Sequence, residues 1–347
     1  MDALLFDPST KVLSLTKSVI PSDVDRDEVL VKIVYAGICG SDLHILDGSF
    51  PCMQKPFTLG HEFCGVVCLK GNDVTHVHTG DRVVIDPNRG CSVCEFCRRG
   101  QYNLCVSGGI DSLIGIFTDG GWAQYCKVPA RQAHKIPDNL PFHLAILCEP
   151  LSCVVHGLDR IAPVSVASRI LILGAGIIGN LWTAAFHHLG YRDVIVCEPV
   201  ADRRALNSKL NTGYPCYSPD QILSLKSSEP HWGVDVCVDC SGSGRAMQDA
   251  LPLLRPGGKL CIFGVASPDT TITIHPFEMF RKETTIYGVV TNLFSFGNAL
   301  KLIEAMGSRY LDFDTLGIKI YSLVEYKEAI QTLKKGTISK ALFQLPS

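Results

Sequence analysis

The chain has 347 residues, of which 46% are hydrophobic and 19% are charged, a composition typical of a folded globular protein. Its length exceeds what one hydrophobic core usually supports, so two domains are expected. The 32 basic and 34 acidic side chains give a formal net charge of −2, which excludes the basic field that attracts nucleic acid or an anionic membrane. The expected partner is a small molecule.

The amino-terminal residues 1–12 have Asp2, Asp7 and Lys11 among short apolar pairs, a pattern unlike that of a signal peptide. No run of about eighteen apolar residues indicates a membrane span. The chain has 16 cysteines, and apart from one group of four they are scattered singly. Scattered cysteines indicate buried thiols rather than a disulfide framework, so a cytoplasmic location is predicted.

Short apolar runs cut by Gly, Pro and Asp fill the first third of the chain and predict an irregular β domain, with strands at 28–35, 64–69, 82–85 and 123–128. From residue 169 the apolar runs alternate with helical stretches, which predicts parallel strands joined by right-handed crossovers. These strands are predicted at 170–173, 194–197, 234–238, 260–263 and 286–290. Helices are predicted at 295–306 and 324–334, and a final strand at 340–345 could return to the first domain.

Three glycines directly follow the predicted strand at 170–173, in the order Gly174-Ala-Gly176-Ile-Ile-Gly179, and a helical pattern comes next. The first glycine permits a tight turn, the second lets a pyrophosphate approach the backbone, and the third packs the helix against the strand. Glu198 ends the next predicted strand, where a carboxylate accepts hydrogen bonds from the adenosine ribose hydroxyls. The pattern predicts a dinucleotide site, and the carboxylate favours NAD over NADP.

Two arginines complicate this preference. Arg203 and Arg204 lie a few residues after Glu198 and could reach a 2′-phosphate, although a solvated helix start is the simpler interpretation. The complete set of predicted cofactor-binding residues is Gly174, Gly176, Ile177, Ile178, Gly179, Glu198, Arg203, Val265 and Val290.

Four cysteines, Cys91, Cys94, Cys97 and Cys105, lie in a polar segment that has little else to bury. Thiolates at this spacing fit one zinc ion, which would supply the order that the segment otherwise lacks. Disulfides are the alternative, but neighbouring spacings of two residues fit disulfide geometry poorly. Because sulfur would fill all four coordination positions, the predicted zinc is structural.

A second, dispersed set contains Cys39, His61, Glu62 and Glu149. One sulfur, one imidazole and one or two carboxylates from separate loops fit a zinc site with an open coordination position. Spacing alone does not establish such a site. Taken singly, Cys39 is more often a buried thiol and the pair His61-Glu62 more often lies on the surface.

Several motifs occur in one order along nearly the whole chain. They are the segments 37–44, 60–62 with Gly65, 80–83, the four cysteines, 120–125, 149–152 and 174–179. With them the chain resembles the zinc-containing medium-chain dehydrogenases, and it is most similar to the branch of sorbitol, arabinitol, butanediol and threonine dehydrogenases. The resemblance implies an α/β protein with a GroES-like β catalytic domain and a doubly wound Rossmann cofactor domain. The catalytic domain would span 1–155 and be completed by 292–347, with the cofactor domain at 156–291.

The resemblance also implies roles for the dispersed set. Cys39, His61 and Glu62 match the catalytic-zinc ligands of the polyol branch. Glu149 stands where alcohol dehydrogenases carry a third protein ligand, so it either binds zinc directly or holds a water beside it. The sequence does not choose between Glu62 and Glu149 as the permanent ligand.

The expected reaction is the oxidation of a secondary hydroxyl to a ketone, or its reverse. A zinc ion at the open site would lower the pKa of the substrate hydroxyl, so that the adjacent hydride can pass to the nicotinamide. Ser41 and His44 match positions that relay the hydroxyl proton in related enzymes, although a loop hydroxyl and a surface histidine explain them as well. Two zinc ions per chain and a homodimer or homotetramer complete the implied assembly.

The substrate is expected to be a polyol, because the segment 291–296 resembles that of bacterial arabinitol-type dehydrogenases and lacks the arginine-based motif of mammalian sorbitol dehydrogenases. An apolar alcohol is the alternative, since Phe50, Phe117 and Trp122 could line either kind of pocket. A non-catalytic homologue is disfavoured, because it has no need for an open, charged zinc site. A zinc module for nucleic acid is disfavoured too, because the four-cysteine segment lacks a recognition helix.

Overall fold

The computed structural model describes residues 1–229 and 231–346. Two compact units are present. The first unit consists of Met1–Cys153, Thr291–Gly307 and Ile318–Ser347, and the second of Val154–Val290 and Ser308–Gly317. The domain boundaries given above stay a prediction. They differ from these units by one or two residues near 154 and 291, and in the whole segment Ser308–Gly317. That segment belongs to the second unit because Tyr310 bonds through its hydroxyl to Nδ1 of His187 at 2.7 Å.

The strands of both units are numbered in chain order. The strands are β1 (Asp2–Asp7), β2 (Val12–Lys17), β3 (Glu28–Ile38), β4 (Phe57–Thr58), β5 (Phe63–Lys70), β6 (Arg82–Ile85), β7 (Tyr125–Pro129), β8 (Ala133–Lys135), β9 (Ile170–Leu173), β10 (Val194–Cys197), β11 (Cys216–Tyr217), β12 (Val234–Asp239), β13 (Leu254–Ile262), β14 (Thr285–Gly288), β15 (Ile318–Tyr321) and β16 (Lys340–Gln344).

The helices are α1 (Gly40–Asp47), α2 (Glu95–Arg98), α3 (Phe142–Ala145), α4 (Cys148–Ile161), α5 (Ile177–His188), α6 (Ala201–Ser208), α7 (Pro219–Ser228), α8 (Gly244–Ala250), α9 (Pro276–Lys282), α10 (Phe296–Leu311), α11 (Phe313–Leu316) and α12 (Tyr326–Lys334). Helix α10 is interrupted at Gly307, whose φ of 55° is left-handed. Short 3-10 turns occur at Tyr102–Leu104, Gly109–Ser112, Ala130–Gln132, Leu251–Leu253 and Leu323–Glu325.

The first unit is built on two sheets, one with the strand order β15-β16-β3-β5-β6-β8 and the other with the order β2-β1-β4. Strand β7 also pairs with β3. Alternate residues of β3, Val29, Val31 and Ile33, point into a core that also contains Trp122 and Phe343, all of them buried. This alternation explains why β3 was predictable from its apolar pattern.

The last strand returns to the first unit, as predicted. Strand β16 pairs antiparallel with β3, which sets Ala341 opposite Ile38. Residues from the two ends of the chain therefore lie side by side where β3 ends, and this placement proves important for the site described below.

The second unit is a parallel sheet with the strand order β11-β10-β9-β12-β13-β14. Every neighbouring pair in it is parallel, so the predicted doubly wound arrangement is confirmed. The strands β9 and β10 have the predicted bounds. Strand β13 begins at Leu254, six residues before the predicted start. The prediction missed these residues because Arg255-Pro-Gly-Gly interrupts the apolar pattern. The pairing of β13 with β12 shifts in register at the same place.

Two further expectations concern the chain as a whole. No helix among residues 1–229 and 231–346 is both long and apolar enough to cross a bilayer. Throughout those same residues the cysteines are free thiols, none joined in a disulfide. The predicted absence of a disulfide framework is confirmed for this part of the chain.

Candidate functional site

Three of the predicted zinc ligands lie together in the first unit. The Sγ atom of Cys39, a ring nitrogen of His61 and a carboxylate oxygen of Glu62 are all within 4.8 Å of one another. Cys39 follows β3 as the N-cap of α1, while His61 and Glu62 immediately precede β5. Because β3 pairs with β5, the two segments are held side by side. A thiolate, an imidazole and a carboxylate at this spacing fit a zinc ion with an open position.

Asp42, which had no predicted role, lies next to the histidine of this cluster. Its Oδ1 atom lies 3.5 Å from Nδ1 of His61, and its Oδ2 atom accepts a 2.8 Å hydrogen bond from the N–H of Cys39. Burial alone lowers the pKa of His61, but the charges of Asp42 and Cys39 raise that pKa well above its ordinary value. A carboxylate behind a ligating histidine sets the orientation of the ring. The signal for Asp42 was present in its position three residues after an N-cap.

Lys340 neutralises Glu62 and was also missed. Its Nζ atom is 2.5 Å from Oε2 of Glu62, and both side chains are only 1% exposed. The same Nζ donates a 3.4 Å hydrogen bond to the carbonyl of Ile38, which is 302 residues away along the chain. Burial lowers the pKa of Lys340, but the charges of Glu62 and Cys39 outweigh this and raise it. Only the pairing of β16 with β3 reveals this contact, so no local sequence signal could have found it.

Glu149 is not one of the three clustered ligands. It lies in the first turn of α4 and is 8% exposed. Its carboxylate accepts a 3.8 Å hydrogen bond from Sγ of Cys153. Burial raises its pKa, the charge of His61 opposes this, and the charge of Glu62 adds to it, so that the pKa of Glu149 is about 7. Glu62, and not Glu149, is the carboxylate that the structure groups with Cys39 and His61.

The two residues predicted to relay a proton, Ser41 and His44, both lie on α1, just after Cys39. Both are half-buried. Nδ1 of His44 lies 3.4 Å from the hydroxyl of Ser49. Among the described residues no hydrogen bond joins Ser41 to His44, so the relay stays a prediction.

Three aromatic residues were candidates for the lining of a substrate pocket, with simple packing as the alternative. Trp122 does not line one, because it is fully buried, its Nε1–H donates a 2.9 Å hydrogen bond to the carbonyl of Gly37, and its ring packs edge-on against Phe343. Phe50 and Phe117 are partly buried against the same core. Trp122 is therefore a core residue and gives no information about the polarity of the substrate.

The four predicted structural ligands also converge in the first unit, in a segment that we call the four-cysteine lobe (residues 91–105). The sulfur atoms of Cys91, Cys94, Cys97 and Cys105 all lie within 4.8 Å of one another. Those of Cys94 and Cys105 are 3.7 Å apart. A disulfide bond is about 2.05 Å long, whereas the sulfurs of a tetrahedral site with Zn–S bonds of about 2.3 Å lie about 3.8 Å apart. The spacing fits a zinc ion.

The thiols of the lobe differ in their readiness to ionise. Hydrogen bonds from the Ser107 hydroxyl and from the N–H groups of Val93 and Cys94 lower the pKa of Cys91 to about 5. Burial, with a smaller contribution from hydrogen bonds among the neighbouring thiols, raises the pKa of Cys97 to about 12. Four thiolates in this space need a cation to balance their charge, which again fits a metal ion.

The predicted glycine motif lies in the second unit, where β9 ends and α5 begins. Gly174 has a φ of 100°, a left-handed value that favours glycine. A Cβ atom on Gly176 would meet nothing within 4 Å, so the space above it is open, whereas one on Gly179 would collide with the carbonyl of Gly174. Ile177 and Ile178 form the first turn of α5. The strand order reverses between β9 and β12, the position at which doubly wound sheets bind their ligands.

The carboxylate of Glu198 is held by the backbone next to this motif. Its Oε2 atom accepts a 2.8 Å hydrogen bond from the N–H of Ala175, and its Oε1 atom accepts one of 2.9 Å from Val200. Arg204 donates to the carbonyl of Glu198 at 2.8 Å. The side chain of Arg203, by contrast, forms no hydrogen bond or ion pair within the part of the chain that the structure describes.

The last two predicted cofactor residues follow strands of the same sheet. Val265 comes shortly after β13 and is 55% exposed. Val290 comes two residues after β14 and is half-buried. Both lie at the carboxyl ends of parallel strands, the edge at which such sheets bind ligands.

Comparisons with known proteins agree with this geometry. The family model described as "alcohol dehydrogenase GroES-like domain" matches residues 25–138, and the one described as "zinc-binding dehydrogenase" matches residues 178–305. The chain is 33% identical to D-arabinitol dehydrogenase 1 of Uromyces fabae over 96% of this chain and 94% of that protein. It is 33% identical to a sorbitol dehydrogenase of Bacillus subtilis (strain 168) over 93% and 91% of the two chains.

A solved structure is similar over the same extent. It is a zinc-binding dehydrogenase of Sinorhizobium meliloti 1021 bound to NADP, with a TM-score of 0.89 and 32% identity, and the match covers 99% of both chains. The similarity therefore extends over both units.

The four-cysteine lobe generates the first prediction. Cys94→Ser should lower the zinc content by about one ion per chain and lower the Tm by several degrees, because binding energy at a structural site stabilises the fold. Zinc is measured by atomic emission and Tm by calorimetry. Cys68→Ser is the control, since that half-buried thiol on β5 lies outside both clusters. An unchanged zinc content in Cys94→Ser would show that the lobe holds no metal.

Proposed function

We propose the reaction of this protein on the premise that it belongs to the zinc-containing medium-chain dehydrogenase family, which the two family models and the full-length relatives show. It is a zinc-dependent oxidoreductase that acts on alcohols with NAD(P). Within this class we propose that it oxidises a secondary hydroxyl of a polyol to a ketone, or runs the reverse reaction. The observation that carries the proposal is the convergence of Cys39, His61 and Glu62 in a chain that is similar to a polyol dehydrogenase over 96% of its length.

We assign the catalytic zinc to Cys39, His61 and Glu62. Asp42 orients the imidazole, and Lys340 holds the carboxylate of Glu62 in place. The metal would supply Lewis acidity, which makes a substrate hydroxyl acidic enough to lose its proton near neutral pH. The bound substrate then has its C–H bond free for hydride transfer to a nicotinamide.

Glu149 has a different role in this proposal. Since it lies outside the cluster of three ligands, we assign it to hold a substrate hydroxyl or a water molecule beside the metal. Its burial and its hydrogen bond from Cys153 support this position. Ser41 and His44 on α1 are assigned to the path by which the proton reaches solvent.

A second zinc ion is assigned to the four-cysteine lobe, so we propose two ions per chain. All the ligands there are sulfur, which leaves no position for substrate. This ion stabilises the fold and takes no part in the reaction.

For the nicotinamide cofactor we propose a preference for NAD. The buried carboxylate of Glu198 would repel a 2′-phosphate and accept a hydrogen bond from a ribose hydroxyl. Two observations favour NADP instead: Arg203 has no partner among the described residues, and the Sinorhizobium relative binds NADP. Both nicotinamides are therefore compared in the assay below.

We also propose a cytoplasmic location. The free cysteines of the described residues are the expected form in a reducing compartment, where thiols are kept from pairing.

The second prediction is the activity itself. Zinc-loaded protein should reduce NAD with arabinitol or other polyols faster than with aliphatic or terpenoid alcohols, and faster than it reduces NADP. Cys39→Ser should lower kcat/KM by about a hundredfold or more, because removing a ligand or an electrostatic stabiliser commonly costs that much. Absorbance at the reduced-nicotinamide band is the readout. Cys68→Ser serves as the matched cysteine control and should retain activity.

Other outcomes would revise different parts of the proposal. Turnover of apolar alcohols alone would keep the zinc chemistry and replace the substrate class. Full activity in Cys39→Ser would contradict the assignment of the ligands, and inactivity on every alcohol tested would favour a non-catalytic role.

The third prediction concerns assembly, for which we propose a homodimer or homotetramer. Strand β14 is an edge strand of the second unit's sheet, and an edge strand offers unpaired backbone groups to a second copy. Analytical ultracentrifugation at micromolar concentration should give at least twice the chain mass of 37.8 kDa. A purely monomeric protein at that concentration would contradict the proposal.

A further inference from the structure

The first unit contains a cavity that is lined by none of the residues assigned to the catalytic zinc, the proton path or the nicotinamide. It has a volume of about 380 Å³, within the range of small-molecule sites. Asp86, Asn88 and Gln132 line it together with Arg89 and Arg131. We call it the Asn88 cavity. One side of it is formed by residues of the four-cysteine lobe, and none of Cys39, His61, Glu62 or Glu149 borders it.

Two buried amides in this cavity have oxygen atoms that lack a partner. Oδ1 of Asn88 and Oε1 of Gln132 have no hydrogen-bond donor within the described residues, although these residues are only 4% and 2% exposed. Buried polar atoms are almost always satisfied in proteins, so two such acceptors in one cavity indicate a missing donor.

The orientation of both amides is determined by their nitrogen atoms. Nδ2 of Asn88 donates to Oδ1 of Asp86 at 3.2 Å. Nε2 of Gln132 donates to the carbonyl of Asp86 at 2.8 Å and to that of Asn88 at 3.3 Å. Rotating either amide would place an oxygen against these acceptors. The unsatisfied oxygens therefore need hydrogen-bond donors, which water or a hydroxylated ligand can supply.

The charge of the cavity is positive. Neither Arg89 nor Arg131 forms an ion pair or a side-chain hydrogen bond with any of the residues that the structure describes. The carboxylate of Asp86 is already bonded by Nδ2 of Asn292 at 3.0 Å and by the backbone N–H of Asn88 at 2.9 Å. Burial lowers the pKa of His134, which also lines the cavity, and so favours the neutral form of this histidine. Two guanidinium groups thus face one engaged carboxylate, and this surplus favours an anion.

An exposed aromatic ring completes the mouth of the cavity. Phe294 is 71% exposed and adopts a left-handed φ of 51°, which is unusual for a bulky residue. Its ring lies edge-on to Tyr102 with centroids 4.8 Å apart, and its N–H donates to the Tyr102 hydroxyl at 3.1 Å. Strained backbone that holds an apolar ring at the edge of a polar cavity is typical of a ligand-binding position.

We propose that the Asn88 cavity binds a small polyhydroxylated anion, a sugar acid or a sugar phosphate, separately from the catalytic zinc site. Its hydroxyl groups donate to Oδ1 of Asn88 and Oε1 of Gln132, and its carboxylate or phosphate pairs with Arg89 and Arg131. A neutral polyol satisfies only the first set of contacts, and inorganic phosphate satisfies only the second.

The experiment is calorimetric titration of the zinc-loaded protein without nicotinamide. The ligands are gluconate and glucose 6-phosphate, with sorbitol and inorganic phosphate as the partial ligands. The variants are Arg131→Gln, Arg245→Gln and Cys39→Ser. Arg131 is exposed, so its replacement should leave the fold intact. Arg245 is a surface arginine of the second unit, 92% exposed, and serves as the matched control.

At least one of the two hydroxylated anions should bind more tightly than both partial ligands. Arg131→Gln should weaken that binding about tenfold or more, as expected for the loss of a charge-assisted contact, whereas Arg245→Gln and Cys39→Ser should not change it. Binding of gluconate alone assigns a carboxylate ligand, and binding of glucose 6-phosphate alone assigns a phosphate.

The remaining outcomes overturn the proposal. No binding by either hydroxylated anion, or equal affinity in Arg131→Gln and the wild type, would show that the cavity holds only water. Binding that disappears in Cys39→Ser would place the ligand at the zinc site instead. If inorganic phosphate bound as tightly as glucose 6-phosphate, the amide oxygens would make no contribution to binding through the hydroxyl groups of the ligand.

Discussion

The buried carboxylate of Glu62 is held between a lysine on one side and two potential metal ligands on the other. Lys340 contributes one positive charge at 2.5 Å, in surroundings where both side chains are 1% exposed. The fully buried Asp42 brings a second carboxylate to the same place, 3.5 Å from Nδ1 of His61. Metal ligation requires a Cys39 thiolate and a neutral His61, so in that form the ligands and Asp42 together carry three negative charges against the one lysine. A divalent cation at the cluster would complete the balance, which is why the site fits zinc better than a purely structural ion pair.

This arrangement requires three strands from distant parts of the chain. Strand β3 carries Cys39 at its end, β5 begins just after Glu62, and β16 begins with Lys340. The backbone N–H of Gly37 donates a 2.7 Å hydrogen bond to the carbonyl of Glu62, and a Cβ atom on Gly37 would collide with the carboxylate of that residue. Glycine at this position therefore lets the two strands approach closely enough for the ligands to meet.

Much of this structure was predictable from the sequence because its signals are local. The fully apolar runs of β9 and β10 gave their bounds, and the glycines between β9 and α5 predicted the turn that is observed. Strand β2 has no clear alternation of buried and exposed residues, and β4 and β11 have only two residues each, so no apolar pattern marked them. The cysteine spacing predicted the lobe, because four thiols with little else to bury have few alternatives.

The remainder depends on contacts between residues far apart in sequence. The contact of Lys340 with Glu62 follows from the pairing of β16 with β3, and it has no counterpart in the local pattern. Trp122 stood among polar and glycine residues, which suggested a loop near substrate, yet its ring is buried against Phe343. The unsatisfied oxygens of Asn88 and Gln132 likewise emerge only from a complete account of hydrogen bonds. Sequence patterns indicate which ligating and charged side chains the chain contains, and the pairing of strands determines which of them meet in one site.

The identity of the carboxylate ligand tests the central claim most directly. Cobalt(II) loaded at the catalytic site gives visible absorption that depends on its ligands, so it can be recorded for Glu62→Gln and Glu149→Gln against the wild type, with the four-cysteine lobe still holding zinc. The account predicts that Glu62→Gln changes the spectrum and weakens cobalt binding, whereas Glu149→Gln leaves the binding constant nearly unchanged. The reverse result, with Glu149→Gln losing cobalt and Glu62→Gln retaining it, would contradict the assignment of Cys39, His61 and Glu62 as the metal site.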